Sequence, residues 1–247
     1  MSWVHRGKER LFTSPRAIFH PGQAIRGGIP VIFPQFGASG PGLRHGFARL
    51  LEWAPVQAAA APDRATLMLS ESGDSLRWWP HRFRAELGVQ LLEDGLSTSL
   101  TVTNCDDAEF AFTAALHTYL RVSSIDQSGL LGLLGQPYID AAKDRRRGLQ
   151  TERILRFEGE VDRVYMDSGD RQLTLEDASG ALKVRSEGFT DTVVWNPGAK
   201  LAAELGDLGP GNHAHFVCVE AANVETTVRL PPGAAWRGTQ ILTCIDG

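Results

Sequence analysis

Three stretches of the 247-residue chain bring reactive side chains close together. The first runs from Arg26, Gly27 and Gly28 to Gln35 and Gly37, and is followed by Arg44, His45, Gly46, Phe47, Ala48 and Arg49. Paired glycines beside an arginine let backbone and guanidinium approach one ligand closely, and a guanidinium suits an anion. A glycine- and proline-rich connection with surface arginines would carry the same residues. The second stretch is Leu116 to Val122. On a strand, His117, Tyr119 and Arg121 share one face, and Leu116, Thr118, Leu120 and Val122 share the other. The histidine then belongs to a polar face and can move protons, although a lone strand histidine can equally be structural. The third stretch, Phe216 to Asn223, carries Glu220 at the end of an apolar run. A carboxylate there must reach solvent or meet a partner in a site.

A metal reading competes for the third stretch. His213, Ala214 and His215 precede Glu220 by a spacing close to that of cupin metal barrels, which turn the chain between histidines and glutamate so that the ligands converge. Here Phe216, Val217, Cys218 and Val219 intervene and read as strand, which sets both histidines opposite to Glu220. The phosphate-cradling, nucleophile-elbow, paired-cysteine and zincin motifs are absent from the sequence.

Short strands must position these residues. Val89 to Leu92 and Leu96 to Asn104 flank Glu93, Asp94 and Gly95, an Asp-Gly hairpin signal. Further strands are expected at Phe110 to Val122, Ile154 to Phe157, Val161 to Tyr165, Gln172 to Glu176, Leu182 to Ser186, Thr192 to Trp195, His215 to Ala221, Thr226 to Leu230 and Gln240 to Ile245. Their regular spacing favours an all-β sandwich or barrel. One short helix is expected near residues 197–208, with Asn196 as N-cap and Pro197 at its first position. The runs 58–62 and 143–148 read as loops, and Arg145, Arg146 and Arg147 as a solvated part of the second.

Composition narrows the function classes. Twenty-five basic and 29 acidic residues leave a net charge of −4, so a nucleic-acid partner is not expected and any anionic ligand needs a local cationic pocket. No apolar run approaches the roughly 20 residues of a membrane span, and the N-terminus is polar rather than signal-like. Cys105, Cys218 and Cys244 cannot all pair and sit in apolar runs, which suggests a cytoplasmic location. The length fits one domain over residues 1–247.

Seven blocks in order, AIRGGIPVIFPQFG, HGFAR, LRWWPHRF, LHTYLRV, EVDRVY, VVWNP and FVCVEAANV, make the chain resemble the glucose-6-phosphate 1-epimerase branch of the galactose-mutarotase-like family. The resemblance runs from Ser2 almost to Gly247. It implies a large antiparallel β-supersandwich with a sugar cleft on its concave face. It also implies interconversion of the α and β anomers of a hexose phosphate by ring opening and closure, without cofactor or metal. Glu220 would be the base and His117 the acid, on opposite sides of the pyranose edge. Asp162 would hydrogen-bond the sugar, Arg26 and Arg49 would take the phosphate, and Gln35 and His45 would orient sugar hydroxyls. His81, Arg44, Arg121 and Trp195 are supporting candidates.

The chain departs from the family pattern in three places. Gly198 stands where the family has tryptophan after VWNP, which would loosen one wall of the cleft. Gly42, Leu43 and Arg44 replace the usual Leu-Pro before HGF. The chain also begins at what resembles the family's second strand, so opening strands are expected to be missing. Fold does not fix function. A non-catalytic carbohydrate-binding sandwich and a cupin-like metalloenzyme therefore remain as alternatives.

Overall fold

The computed structural model describes residues 2–38, 40, 42–57 and 61–245. In chain order its strands are β1 (Val4–His5), β2 (Lys8–Glu9), β3 (Val31–Ile32), β4 (Ala54–Pro55), β5 (Arg64–Ser70), β6 (Phe83–Leu92), β7 (Gly95–Asn104), β8 (Phe110–Leu116), β9 (Tyr119–Arg121), β10 (Gly129–Leu131), β11 (Pro137–Asp140), β12 (Arg146–Leu149), β13 (Ile154–Leu155), β14 (Val161–Tyr165), β15 (Leu173–Asp177), β16 (Gly180–Glu187), β17 (Asp191–Asn196), β18 (Phe216–Leu230) and β19 (Ala235–Ile245). The two α-helices among the described residues are α1 (Gly73–Trp78) and α2 (Gly198–Ala202).

Nine strands form one antiparallel sheet in the order β13-β10-β15-β16-β19-β7-β6-β5-β4. Eight form the other, with β12-β11-β14-β17-β18-β8-β3 in line and β9 also paired to β18. Phe83, Leu100 and Val102 of the first sheet pack with Phe112, Leu116, Val217 and Val219 of the second, so the main core lies between them. The all-β sandwich expected from strand spacing is therefore the observed architecture.

Alternation along β18 decides where a site can form. Val217, Val219 and Ala221 enter the core between the sheets. Phe216, Cys218 and Ala222 belong to smaller clusters on the face turned away from the nine-stranded sheet. By the same period of two, Glu220 lies on that outer face, between the two clusters. Asp162 lies there too, because its neighbours Val161 and Tyr165 point into the main core while Val164 joins the outer cluster.

Several expectations need correction. The run Phe110 to Val122 is interrupted: β8 stops at Leu116, and the Thr118 N–H turns back to the Leu116 carbonyl before β9 begins. His215 to Ala221 and Thr226 to Leu230 belong to one strand, β18, whose pairing with β8 shifts register between Asn223 and Val228. His213 and His215 lie in a single 3-10 turn rather than on a strand, so the opposite-face argument does not apply to them. The loop expected at 143–148 ends in β12, which pairs with β11 and occupies the edge of the eight-stranded sheet. Residues 58–60 of the other expected loop lie outside the described residues. Helix α1 was not anticipated; its signal is a reciprocal Ser72–Ser75 capping box at the start of a six-residue helix. Helix α2 is shorter than 197–208 and its N-cap is Pro197 rather than Asn196, although the Asn196 side chain accepts the Gly198 N–H at 2.8 Å.

Candidate active site

The break between β8 and β9 brings His117 beside the middle of β18. Its Nε2 lies 3.3 Å from Glu220 Oε1, and the two side chains are 12% and 1% exposed. They stand side by side rather than facing each other across a gap. Glu220 is opposite Val193 of β17, well inside the strand rather than at its end. A cross-core brace supports both groups: Gln240 of β19 donates to the Val219 carbonyl at 2.9 Å and accepts from the Thr118 hydroxyl. It thereby holds the residue after the histidine and the residue before the glutamate. The Val219 N–H also donates to the Thr118 carbonyl at 3.1 Å.

Three rings enclose the imidazole. Tyr119 stacks on it with centroids 5.0 Å apart and 11° between planes; Trp195 and His45 meet it edge-on, each at 5.9 Å. Among the described residues, Glu220 Oε2 is buried without a hydrogen-bond partner, so it keeps free capacity for a ligand.

Burial drives both members of the pair toward their neutral forms. It pushes the Glu220 carboxyl well above the usual range, and nearby Asp162 adds to the rise. Burial holds His117 well below the usual range, helped by His45, Arg49 and Arg26. Burial thus favours one proton between the two groups, on the Glu220 carboxyl rather than on the imidazole. Arginines act on the histidine and Asp162 on the glutamate, while Arg26 also acts on Cys218 and Arg44 on Asp162.

The cationic end comes from loops. Arg26 makes a forked pair with Asp207, its Nε and Nη2 donating at 3.0–3.2 Å, and its Nη1 reaches the Tyr119 hydroxyl at 3.4 Å. Ser14 fastens this pair, donating its hydroxyl to the Asp207 carbonyl and its N–H to the Arg26 carbonyl. Arg49 donates to the Arg44 carbonyl at 2.9 Å, and its Nε is buried without an acceptor. His45 adopts φ of 62°, a conformation few non-glycine residues hold without local support. The support is mutual hydrogen bonding with Gly37, whose N–H donates to Nδ1 while its carbonyl accepts from the His45 N–H. Burial, then Arg49, Arg44 and Arg26, push His45 down to about 3, which agrees with Nδ1 accepting that proton.

Asp162 is half-buried, and burial with Glu160 raises its carboxyl to about 6. It faces Trp195 across β14 and β17, and Trp195 faces Cys218 across β17 and β18, so it lies one strand further along the same face. Among the described residues, no hydrogen bond joins Gln35 to this group. Its amide donates to the Gly37 carbonyl and accepts the Gly42 N–H, which shapes the loop before His45. It also lines a separate cavity of about 150 Å³ walled by Phe47, Trp78, Trp79 and Phe112. His81 pairs with Asp106 at 3.6 Å and packs on Trp79, a structural place, and Arg121 is exposed. At Gly198 the backbone has φ of 60°, and a Cβ would meet Glu160 N and Gly159 C at 2.6 Å. A side chain at this position would therefore collide with the main chain of residues 159–160.

Sequence reasoning missed Asp207, Gln240 and the stacking role of Tyr119. Asp207 and Gln240 meet their partners 181 and 122 residues away along the chain, so no local pattern announces them. Tyr119 carried a signal, its two-residue spacing from His117.

His117, Cys218 and Glu220 place one ligand atom each within 4.8 Å of one another. As a metal donor set they fit poorly. Burial and Glu220 hold the Cys218 thiol well above its usual range, and the neighbouring arginines oppose a second cation. His215 uses its Nδ1 at the Ser123 carbonyl rather than at Glu220.

A two-sheet antiparallel sandwich that carries a buried carboxylate–imidazole pair beside forked cations has the parts of a sugar-epimerising enzyme. The sequence signature of aldose 1-epimerases matches residues 1–243, and the chain belongs to that family. It is 37% identical to a "Putative glucose-6-phosphate 1-epimerase" of Cenchrus ciliaris, over 99% of this chain and 78% of that one. With the protein of the same description from Escherichia coli K12 it shares 33% identity, over 93% and 78%. The crystal structure of a "putative mutarotase (YeaD)" from Salmonella typhimurium superposes with a TM-score of 0.89 at 30% identity, covering 100% of this chain and 84% of that one. No helix among the described residues is long and apolar enough to cross a membrane.

Proposed function

We propose that this chain is a hexose-6-phosphate mutarotase acting on glucose 6-phosphate, with Glu220 as base and His117 as acid. The observation that carries the reading is the direct 3.3 Å contact of the pair, with Arg26 reaching the hydroxyl of the Tyr119 ring that stacks on the histidine. The two oxygens that exchange protons in mutarotation share one carbon, C1, so acid and base must be near neighbours. The ring oxygen is also bonded to C5, which bears the phosphorylated C6. The phosphate therefore falls on the acid's side, where Arg26 and Arg49 stand.

Glu220 removes the proton of the C1 hydroxyl as His117 gives one to the ring oxygen. The bond between C1 and that oxygen breaks, and an open-chain aldehyde forms. Rotation about C1–C2 presents the other carbonyl face. His117 then takes its proton back, Glu220 returns the other, and the ring closes as the opposite anomer. Positioned acid–base catalysis of this kind is worth about 10²- to 10⁴-fold. Asp162 and His45 hold sugar hydroxyls, and Gln35 acts through the loop it fastens. The unpaired thiols of Cys105 and Cys218 suit a reducing cytoplasm.

Exchange spectroscopy by NMR on glucose 6-phosphate, glucose and galactose tests the reading. Faster exchange between anomers, greatest for the phosphorylated sugar, is expected; sugar binding without faster exchange would make the chain a carbohydrate-binding protein instead.

A further inference from the structure

The anion end and the acid–base pair are joined by contact. Asp207 occupies Nε and Nη2 of Arg26, and the remaining Nη1 meets the Tyr119 hydroxyl, whose ring lies flat on His117. From the other side, His45 meets His117 edge-on and lies four residues before Arg49. Among the described residues, Arg26 has a carboxylate within ion-pairing distance, whereas Arg44 and Arg49 have none. The buried Arg49 Nε also lacks an acceptor. The cluster is thus short of negative charge beside a pair that holds a single proton. The other titratable groups facing that pair are Cys218 and Asp162 on the glutamate's side and His45 and Tyr119 on the histidine's.

We propose that an anion settling between Arg26 and Arg49 draws the shared proton from Glu220 to His117, arming base and acid in one step, so that a free oxyanion stimulates mutarotation of a hexose bearing no phosphate. The proposal rests on the acid–base reading above. The step breaks the Oε1–H bond and forms an Nε2–H bond. A carboxylic acid and a neutral imidazole become a carboxylate and an imidazolium, with no proton exchanged with solvent. In the anion-free site the arginines oppose the imidazolium, in agreement with the lowered His117. A dianion cancels that field, and a charge so close in a partly buried site shifts a proton equilibrium by about tenfold or more. A phosphorylated hexose brings its own anion, whereas a free hexose meets an unarmed pair. Discrimination then appears in turnover as well as in binding.

The test measures anomer exchange of free glucose by NMR with and without sulfate, which keeps its charge near neutral pH, after subtracting enzyme-free rates. Calorimetry on the same samples follows sulfate binding. Saturable stimulation of about tenfold or more is expected, most of it lost in Arg26→Met. Nitrogen-15 histidine spectra should move His117, identified by its absence in His117→Asn, toward the imidazolium position when sulfate binds. Sulfate that fails to bind, binds without raising the rate, or leaves His117 neutral overturns the proposal. Glucose 6-phosphate separates the two readings. If its exchange is not accelerated, the mutarotase reading fails; if it is accelerated while glucose ignores sulfate, the anion proposal alone fails.

Discussion

The two ends of the site are neighbours made from different materials. The acid–base end is sheet: Glu220 lies in the fifth in-line strand of eight-stranded pairing, and His117 sits in the short break between β8 and β9, braced through the core by Gln240. The anion end is loop: Arg26, Arg44, Arg49 and Asp207 all lie outside regular elements. Proton transfer tolerates little error in distance, and paired strands hold distance well. Charge acts over a longer range, so loops suffice for it. On the function and the anion effect proposed above, the stiff end sets the geometry, and the looped end sets which protonation state that geometry uses.

The largest predicted effects break the sheet end. Glu220→Gln and His117→Asn should each lower exchange of glucose 6-phosphate by about 10²- to 10⁴-fold while circular dichroism stays unchanged. Next come Arg26→Ala and Arg49→Ala. Losing hydrogen bonds to a charged group, worth about 1.5–3 kcal/mol, should cost kcat/KM for glucose 6-phosphate roughly ten- to a hundredfold. Exchange of free glucose should fall much less; equal losses on both sugars would remove the distinction between the two ends. Gln240→Leu probes the brace. It removes the Gln240 hydrogen bonds to the Val219 carbonyl and the Thr118 hydroxyl, leaving the latter a long 3.4 Å contact with the Leu116 carbonyl, so denaturant titration should show a loss of about 1–3 kcal/mol, and kcat should fall with KM nearly unchanged. A fall in KM-dependent terms alone would mean that the brace does not position the pair.

The smallest effect concerns pH. Asp162 has a folded pKa of about 6 against 3.8 for an unperturbed carboxyl. Between these values the folded chain binds more protons than the unfolded one, so this contribution is full below 3.8 and is lost as pH rises through about 6. Asp162→Asn should therefore gain on the order of 1 kcal/mol over the parent near pH 7 and nothing near pH 4, while weakening sugar binding. Denaturation midpoints at the two pH values measure the first part, and calorimetry the second.

The sequence made the sandwich legible because alternation and turn residues are local signals. Val161 to Tyr165 coincides with β14, and the Asp94-Gly95 hairpin joins β6 to β7. Its failures have physical causes. Continuous β propensity from Phe110 to Val122 hides a break that costs one turn and brings His117 to Glu220. Helix α1 is too short for periodicity to show. Glu220 and His117 could each be singled out as candidates from residue type and neighbours, and the resemblance supplied their roles, but their protonation could not be read, because it depends on burial and on arginines distant in the chain. Asp207 and Gln240 were invisible for the same reason.

The Arg145–Arg147 run has a consequence for how copies of the chain meet. Arg146 and Arg147 are exposed on β12, the outermost strand of the eight-stranded sheet, and Arg145 reaches back to Glu225 at 2.8 Å. An edge strand offers unpaired backbone groups to any passing strand. A second copy docking there by the same edge would bring the two basic runs together, so their repulsion opposes closure of a dimer through β12.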